Sequence, residues 1–411
     1  MRRHTLYSAL ICALILVPLQ SLADPGLSAI RLINPSNFNL DQGEIEAIKA
    51  RMHEAVNDRH IAGALLLVGN NDGVGMLASV GYQGPDDRTP VNQDTLFRIY
   101  SMTKPIVSVA AMSLVEDGLL SLDDPVEKYI PEFANAQVID RETGQLSPSA
   151  TTMTVHHLIT HTSGVIQARF SPDSALGKMY AERLPASGAT ALEHARVLGQ
   201  LPLYFEPGTA WHYGHSTNVL GAVLEVAAGQ PLDVLLKERI FDPLGMDDTA
   251  FYIPLAKAYR IAEPVHGEMP DNTVVRPMLS GDGGLNSSAE DYVRFANMLL
   301  NGGEYRGQRI IEEATLERML EKQITPEVSR EFFFYGNRGD WGLGFHLQPT
   351  DGDNANGPHN FGWRGIGGTL FLVDRENDFF MIYMEQKMNG PRGAQFSNTI
   401  AQQMVYEAMA D

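Results

Sequence analysis

Cysteine is almost missing from this sequence: one residue, Cys12, in 411. That count excludes a disulfide framework, a cysteine-ligated metal and a thiol nucleophile from the body of the chain. Positive charge is also scarce, with 31 Lys and Arg against 50 Asp and Glu and a net charge of −19. Such an excess repels polyanions, which argues against nucleic acid as a partner and against an anionic membrane surface. Long apolar runs are lacking too. Beyond the N-terminus no segment reaches the roughly 18 unbroken apolar residues of a membrane-spanning helix. Internal repeats and low-complexity tracts are absent. What is there is a chain 44% hydrophobic and 20% charged, the make-up of a globular protein long enough for a large core.

Residues 1–23 have a different character. Arg2, Arg3 and His4 make a basic start, Leu6 to Leu19 is apolar, and Ser21-Leu22-Ala23 puts small residues where a signal peptidase reads. The expectation is a secretory signal cleaved near Ala23 and a periplasmic or secreted protein, with no stable membrane insertion after cleavage. Cleavage would also remove Cys12, which follows Leu10-Ile11 and so lacks the small neighbour of a lipid-modified cysteine.

From Leu40 the spacing of Ile45, Ile48, Met52 and Val56 predicts a helix capped by Asp41. Ala62–Val68 and Val74–Tyr82 read as strands joined by the turn cluster Asn70-Asn71-Asp72-Gly73. A buried helix follows through Val107–Val115 and closes at Gly118. Between about 121 and 284 short helical patches alternate with Pro/Gly-rich loops. Ser287-Ser-Ala-Glu290 has the form of a capping box opening another helix. Strands return at Trp341–Leu347, Gly368–Val373 and Phe379–Glu385, and Gln395–Ala410 closes the chain as a helix. The expected architecture is α+β: an α/β sandwich domain with an antiparallel sheet, from 24–120 and 285–411, carrying a mostly helical inserted domain, 121–284.

One short run concentrates chemistry: Phe97-Arg-Ile-Tyr-Ser-Met-Thr-Lys-Pro105. Residues i and i+3 of a helix share a face, so Ser101 and Lys104 project together. Pro105 is tolerated only in a first turn, which places the helix start near Ser101 and turns the positive end of the helix dipole toward it. A lysine acts as a base only where burial helps it give up its proton, and the apolar residues that follow supply that setting. By itself the spacing is a weak signal that arises by chance in many chains, and an ordinary solvated helix start is the favoured reading.

The rest of the chain changes the balance. The run resembles the nucleophile segment of the serine β-lactamase and penicillin-binding-protein superfamily, most closely the class C β-lactamase branch and the family VIII carboxylesterases. Gly118-Leu-Leu-Ser-Leu-Asp-Asp-Pro125, Val155-His-His-Leu-Ile-Thr-His-Thr-Ser-Gly164, Glu206-Pro-Gly-Thr-Ala-Trp-His-Tyr-Gly214 and Gly283-Gly-Leu-Asn-Ser-Ser-Ala-Glu-Asp291 continue the likeness in order. The resemblance implies a β-lactamase/transpeptidase-like fold and catalysis by Ser101, Lys104 and Tyr213, with the backbone N–H groups of Ser101 and Ile366 as oxyanion hole. It implies a small-molecule ester or amide substrate and neither metal nor organic cofactor. Oligomeric state is not written in these motifs.

Two motifs depart from the family pattern. Tyr213-Gly214-His215 carries histidine where asparagine is usual. Trp363-Arg364-Gly365 stands where a Lys/His-Thr/Ser-Gly triplet is usual, so the cation near a substrate carboxylate is replaced by an aromatic ring. A charge-assisted hydrogen bond is worth about 1.5–3 kcal/mol, and its loss favours neutral esters, on which a carboxylesterase acts. His215, Trp363, Arg364 and Gly365 are therefore the expected substrate-binding residues, with the Arg364 guanidinium as a substitute cation. A class C-like β-lactamase, a D-amino-acid peptidase and a non-catalytic penicillin-binding-like sensor stay open as alternatives.

Three other signals carry less. Gly214-His-Ser-Thr-Asn218 falls short of a G-x-S-x-G elbow at its fifth residue, so Ser216 is not expected as nucleophile. His157 and His161 have helical zinc spacing without the H-E-x-x-H glutamate. Phe332-Phe333-Phe334-Tyr335 is expected as core or pocket wall rather than a membrane anchor.

Overall fold

The computed structural model describes residues 28–185, 188–348, 360–388 and 396–409. The signal and cleavage site expected in residues 1–23 lie outside the described residues, as do Gln395 and Ala410 at the ends of the expected last helix.

Helix α1 spans Gln42–Asn57, and Asp41 caps it by accepting the Glu44 N–H at 3.0 Å. Strands β1 (Gly63–Asn70) and β2 (Gly73–Gly81) follow as a hairpin. β1 then pairs antiparallel with Phe379–Glu385, more than 300 residues on, with Leu66 opposite Tyr383. From there the seven-stranded antiparallel sheet continues through Leu370–Asp374, Asn360–Arg364 and His346–Gln348 to Asp340–Trp341.

Both faces of this sheet are covered, which is why β1 reads Ala-Leu-Leu-Leu-Val without alternation. Ala64, Leu66 and Val68 face α1 and the C-terminal helix Asn398–Met409 in one core, with Met52, Phe396 and Val405. Leu65 and Leu67 face helix α2 (Thr103–Glu116) and the Ala289–Leu300 helix in the other. The result is the α+β architecture, an antiparallel sheet between helical layers, that the sequence led us to expect. Residues 121–284 supply mostly short helices and one hairpin, Gln137–Ile139 with Leu146–Pro148, that periodicity did not reveal.

Three local readings need correction. Trp341–Leu347 is two short strands, not one, because Gly344 turns the chain with a φ of 91°. Asn360–Arg364 is a strand that composition alone did not show. The cap of the Ala289–Leu300 helix is Ser288, whose Oγ accepts the Asp291 N–H at 3.2 Å. Ser287 pairs with Phe97 in a two-residue ladder, with Arg98 opposite Asn286. That ladder lays the strand entering the Ser101 turn beside the segment leaving the insertion.

Candidate active site

After the Phe97–Arg98 strand, Tyr100 takes a left-handed φ of 45°. An aromatic residue holds that conformation only where its surroundings impose it, at a cost of about 1–3 kcal/mol. Here Ile99 N–H donates to the Leu285 carbonyl at 3.1 Å, and Leu285 N–H donates to Thr103 Oγ1 at 3.1 Å. The Tyr292 hydroxyl donates to the Met102 carbonyl at 2.9 Å. Ser101 thus sits in a single 3-10 turn that runs directly into α2, with Pro105 in the first turn of that helix.

Lys104 Nζ lies 3.3 Å from Ser101 Oγ, and the lysine is 2% exposed. Nζ also donates to the Asp282 backbone carbonyl at 2.5 Å and stands 4.5 Å from the centre of the Tyr213 ring. Asp282 turns its carboxylate into a polar cluster behind this group. Its Oδ2 accepts Asn218 Nδ2 at 2.9 Å and lies 3.3 Å from His215 Nδ1, and its Oδ1 accepts Ser280 Oγ at 2.8 Å. Burial pushes the Asp282 carboxyl up. The Lys104 charge and the His215 hydrogen bond outweigh that and hold it well below the usual carboxylate range.

Tyr213 approaches from the insertion. Its ring packs on His161 at 4.8 Å, Phe170 at 5.3 Å and Phe334 at 5.3 Å. Its hydroxyl oxygen accepts a hydrogen bond from Trp363 Nε1 at 3.1 Å. Next along that strand, Gly365 meets the nucleophile turn so closely that a Cβ would stand 2.5 Å from the Ile99 carbonyl oxygen and 2.2 Å from Thr369 Oγ1. No side chain fits there. Ile366, 52% exposed, follows at the rim.

These groups share one cavity of about 510 Å³. Tyr100, Phe170, Tyr213, Phe334, Tyr335 and Trp363 form its aromatic wall, while Ser101, Lys104, Arg169, Asp282, Arg364 and Asn398 bring polar atoms. A serine hydroxyl against a buried amine, with a phenol beside it and two backbone turns at its edge, is a constellation suited to acyl transfer through serine. Among the described residues, no group of three or more His, Cys, Asp or Glu is placed to hold a metal ion.

The structure gathers Ser101, Lys104, Tyr213, Trp363, Arg364, Gly365 and Ile366 around this cavity. His215 is the exception and a correction: it does not line the cavity, because it opens the helix Ser216–Ala228 behind Asp282 and faces Asn218 and His194. Ser216 points away as well, its Oγ 2.8 Å from Ser163 Oγ. His157 closes a capping box with Thr154, and His161 is buried against Trp211, Tyr213 and Trp341. Phe334 and Tyr335 are pocket wall, and Phe333 packs on Trp211. Sequence reasoning missed Asp282 and Asn218. An acid set among three glycines, Gly281-Asp-Gly-Gly284, was the available signal.

Comparison with known proteins settles the family. The Beta-lactamase family model matches residues 46–403. The chain belongs to the β-lactamase family. Protein Rv1367c of Mycobacterium tuberculosis is 32% identical over 364 residues, 83% of this chain and 90% of that protein. Esterase EstB of Burkholderia gladioli is 31% identical over 391 residues, 87% of this chain and 96% of EstB. The solved structure of EstCE1, a hydrolase with promiscuous acyltransferase activity, shares the fold at a TM-score of 0.72 and 22% identity, covering 90% of this chain and 99% of that one. The protein is a serine hydrolase of this superfamily.

Within the β-lactamase family the departures now have a physical setting. Trp363 does more than replace a cation: 5% exposed, it meets Trp341 edge-on at 4.6 Å and holds the Tyr213 hydroxyl. Strand alternation sends Arg364 toward the C-terminal helix, where its guanidinium donates to Thr399 Oγ1 at 2.6 Å and Gln402 Oε1 at 2.7 Å.

Proposed function

We propose that this serine hydrolase is a carboxylesterase acting on small or medium esters. The observation that carries this reading is Trp363, which stands at the third motif bonded to Tyr213 and leaves an aromatic wall where a peptidase or β-lactamase keeps a cation. Ser101 Oγ attacks the ester carbonyl, and its proton passes to Lys104 and, through Tyr213, to the departing alkoxide. The oxyanion is received by the N–H groups of Ser101 and Ile366. Water, activated by the same pair, then hydrolyses the acyl-enzyme. The likeness to EstB adds support.

The test compares turnover of a short-chain p-nitrophenyl ester with that of nitrocefin, for wild type and Ser101→Ala. Ester turnover lost in Ser101→Ala is expected. Fast nitrocefin hydrolysis with negligible ester turnover would sink the esterase reading. A correctly folded protein left unlabelled at Ser101 by a fluorophosphonate probe, read by intact mass, would argue against catalysis altogether. We also propose export through residues 1–23, supported by their basic, apolar and small-residue order. An intact mass of the exported protein that retains Met1 or its neighbours would refute cleavage near Ala23.

A further inference from the structure

The two N–H groups assigned to the oxyanion belong to distant parts of the chain: Ser101 lies three residues past Arg98, and Ile366 directly precedes Gly367. A buried segment outside both motifs ties these two arms together. Where the Phe379–Glu385 strand ends, Gln386 follows, 2% exposed. Its carboxamide meets the Arg98 backbone edge to edge. Oε1 accepts the Arg98 N–H at 3.0 Å, and Nε2 donates to the Arg98 carbonyl at 3.3 Å. Nε2 also donates to the Glu385 carbonyl at 2.8 Å, which fixes the plane of the amide. The Phe97–Arg98 strand pairs with Asn286–Ser287 on one edge. On the other edge Gln386 takes the place of a neighbouring strand, since a carboxamide offers the same donor and acceptor as a peptide group.

The next residue reaches the second arm. Lys387 N–H donates to the Gly367 carbonyl at 2.8 Å. Gly367 packs so closely on the first arm that a Cβ there would stand 2.9 Å from the Tyr100 ring and 3.2 Å from Gln386 Nε2. Beside it Gly368, with a φ of 103°, makes room for the buried Glu385 side chain: a Cβ would stand 2.2 Å from Glu385 Cγ. Glu385 is fixed in turn, its Oε2 accepting the Tyr383 hydroxyl at 2.7 Å. Residues 385–387 thus touch both arms. They leave a strand that is paired on both sides, with β1 and with Leu370–Asp374, and so have a rigid support.

Resting on the oxyanion assignment made above, we propose that Gln386 is a positioning residue for the reaction: it sets the gap between the Ser101 and Ile366 N–H groups, and with it the stabilisation of the tetrahedral intermediate. Gln386 does not line the cavity, so it acts through the backbone of Arg98 rather than on the substrate. Its removal therefore weakens binding of the tetrahedral species more than binding of the ester.

The experiment measures kcat and KM for p-nitrophenyl butyrate, and inhibition by phenylboronic acid, whose adduct with a serine is tetrahedral. Wild type is compared with Gln386→Met, which keeps the side-chain length and removes both bonds to Arg98. Rates are counted per serine labelled to completion by a fluorophosphonate, so that misfolded protein does not enter. Outright loss of one oxyanion donor costs about 100- to 1,000-fold in kcat; a displaced donor should cost about 10- to 100-fold. KM should stay within about threefold, and the boronate should bind at least about fivefold more weakly. Gln386→Glu keeps an acceptor for the Arg98 N–H and should lose only about 2- to 13-fold in kcat, the range for one neutral hydrogen bond; it decides the matter if Gln386→Met does not fold. An unchanged kcat per labelled serine in the folded variants, or a loss carried by KM with boronate affinity intact, overturns the proposal and leaves the esterase reading standing. A wild type that hydrolyses no ester and takes no phosphonate overturns both.

Discussion

Gly365→Ala tests the site at its tightest contact. An added Cβ would stand 2.5 Å from the Ile99 carbonyl oxygen, where real Cβ contacts keep at least 3.0 Å. The Thr369 hydroxyl, 2.2 Å from the same point, can rotate away, but Ile99 is backbone. The strand end and the nucleophile turn must therefore separate by about half an ångström, a displacement that already spoils catalytic geometry. Ser101 lies two residues beyond Ile99 and Ile366 directly follows Gly365, so the separation acts on the gap between the two proposed oxyanion donors. Loss of one such donor costs about 100- to 1,000-fold in kcat, and overpacking costs about 1–3 kcal/mol of stability. We expect kcat for a p-nitrophenyl ester to fall about 100-fold, with Tm lower by only a few degrees. The double variant Gly365→Ala/Thr369→Ala frees the hydroxyl contact alone and should stay impaired. A wild-type kcat in Gly365→Ala, or full recovery in the double variant, would refute the argument.

Trp363→Phe keeps the wall but removes the Nε1–H donor to Tyr213; one neutral hydrogen bond predicts a fall in kcat of about 2- to 13-fold, and an unchanged kcat would make that bond incidental. Asp282→Asn should lower esterase kcat by at least tenfold, because the polar cluster behind Lys104 loses its charge. The Asp282 carboxyl is held below its ordinary range in the fold, so its stabilisation is present above the unfolded value of about 4 and is lost as pH falls below it. Urea melts at pH 7 and pH 3 should show the wild-type advantage over Asp282→Asn shrinking in acid; an advantage that grows would reverse the sign. Asp291 works the other way: burial pushes its carboxyl up to about 7 against the bonds from Thr249 and the Asp248 N–H. Wild type should lose stability as pH rises from about 4 toward 7, and Asp291→Asn, which keeps one acceptor oxygen, should flatten that slope.

Much of this protein was decided by its local sequence. The apolar period of α1 with Asp41 at its start, the unbroken run of β1 and the Phe379–Glu385 strand each follow from burial of one stripe or of two faces. The Ser101–Lys104 pair follows from helical spacing and from a proline tolerated only in a first turn. Tertiary structure decided the rest, because it depends on residues far apart in the chain. His215 and Trp363 both read as departures from a motif, yet packing turned one behind Asp282 and the other onto Tyr213. Asp282 carries only a faint local signature, an acid set among three glycines. Its charge matters only because the Phe97–Arg98 ladder with Asn286–Ser287 brings it to the serine. Spacing along the chain selects which side chains share a helix face; only the closed fold selects which charges share a cavity.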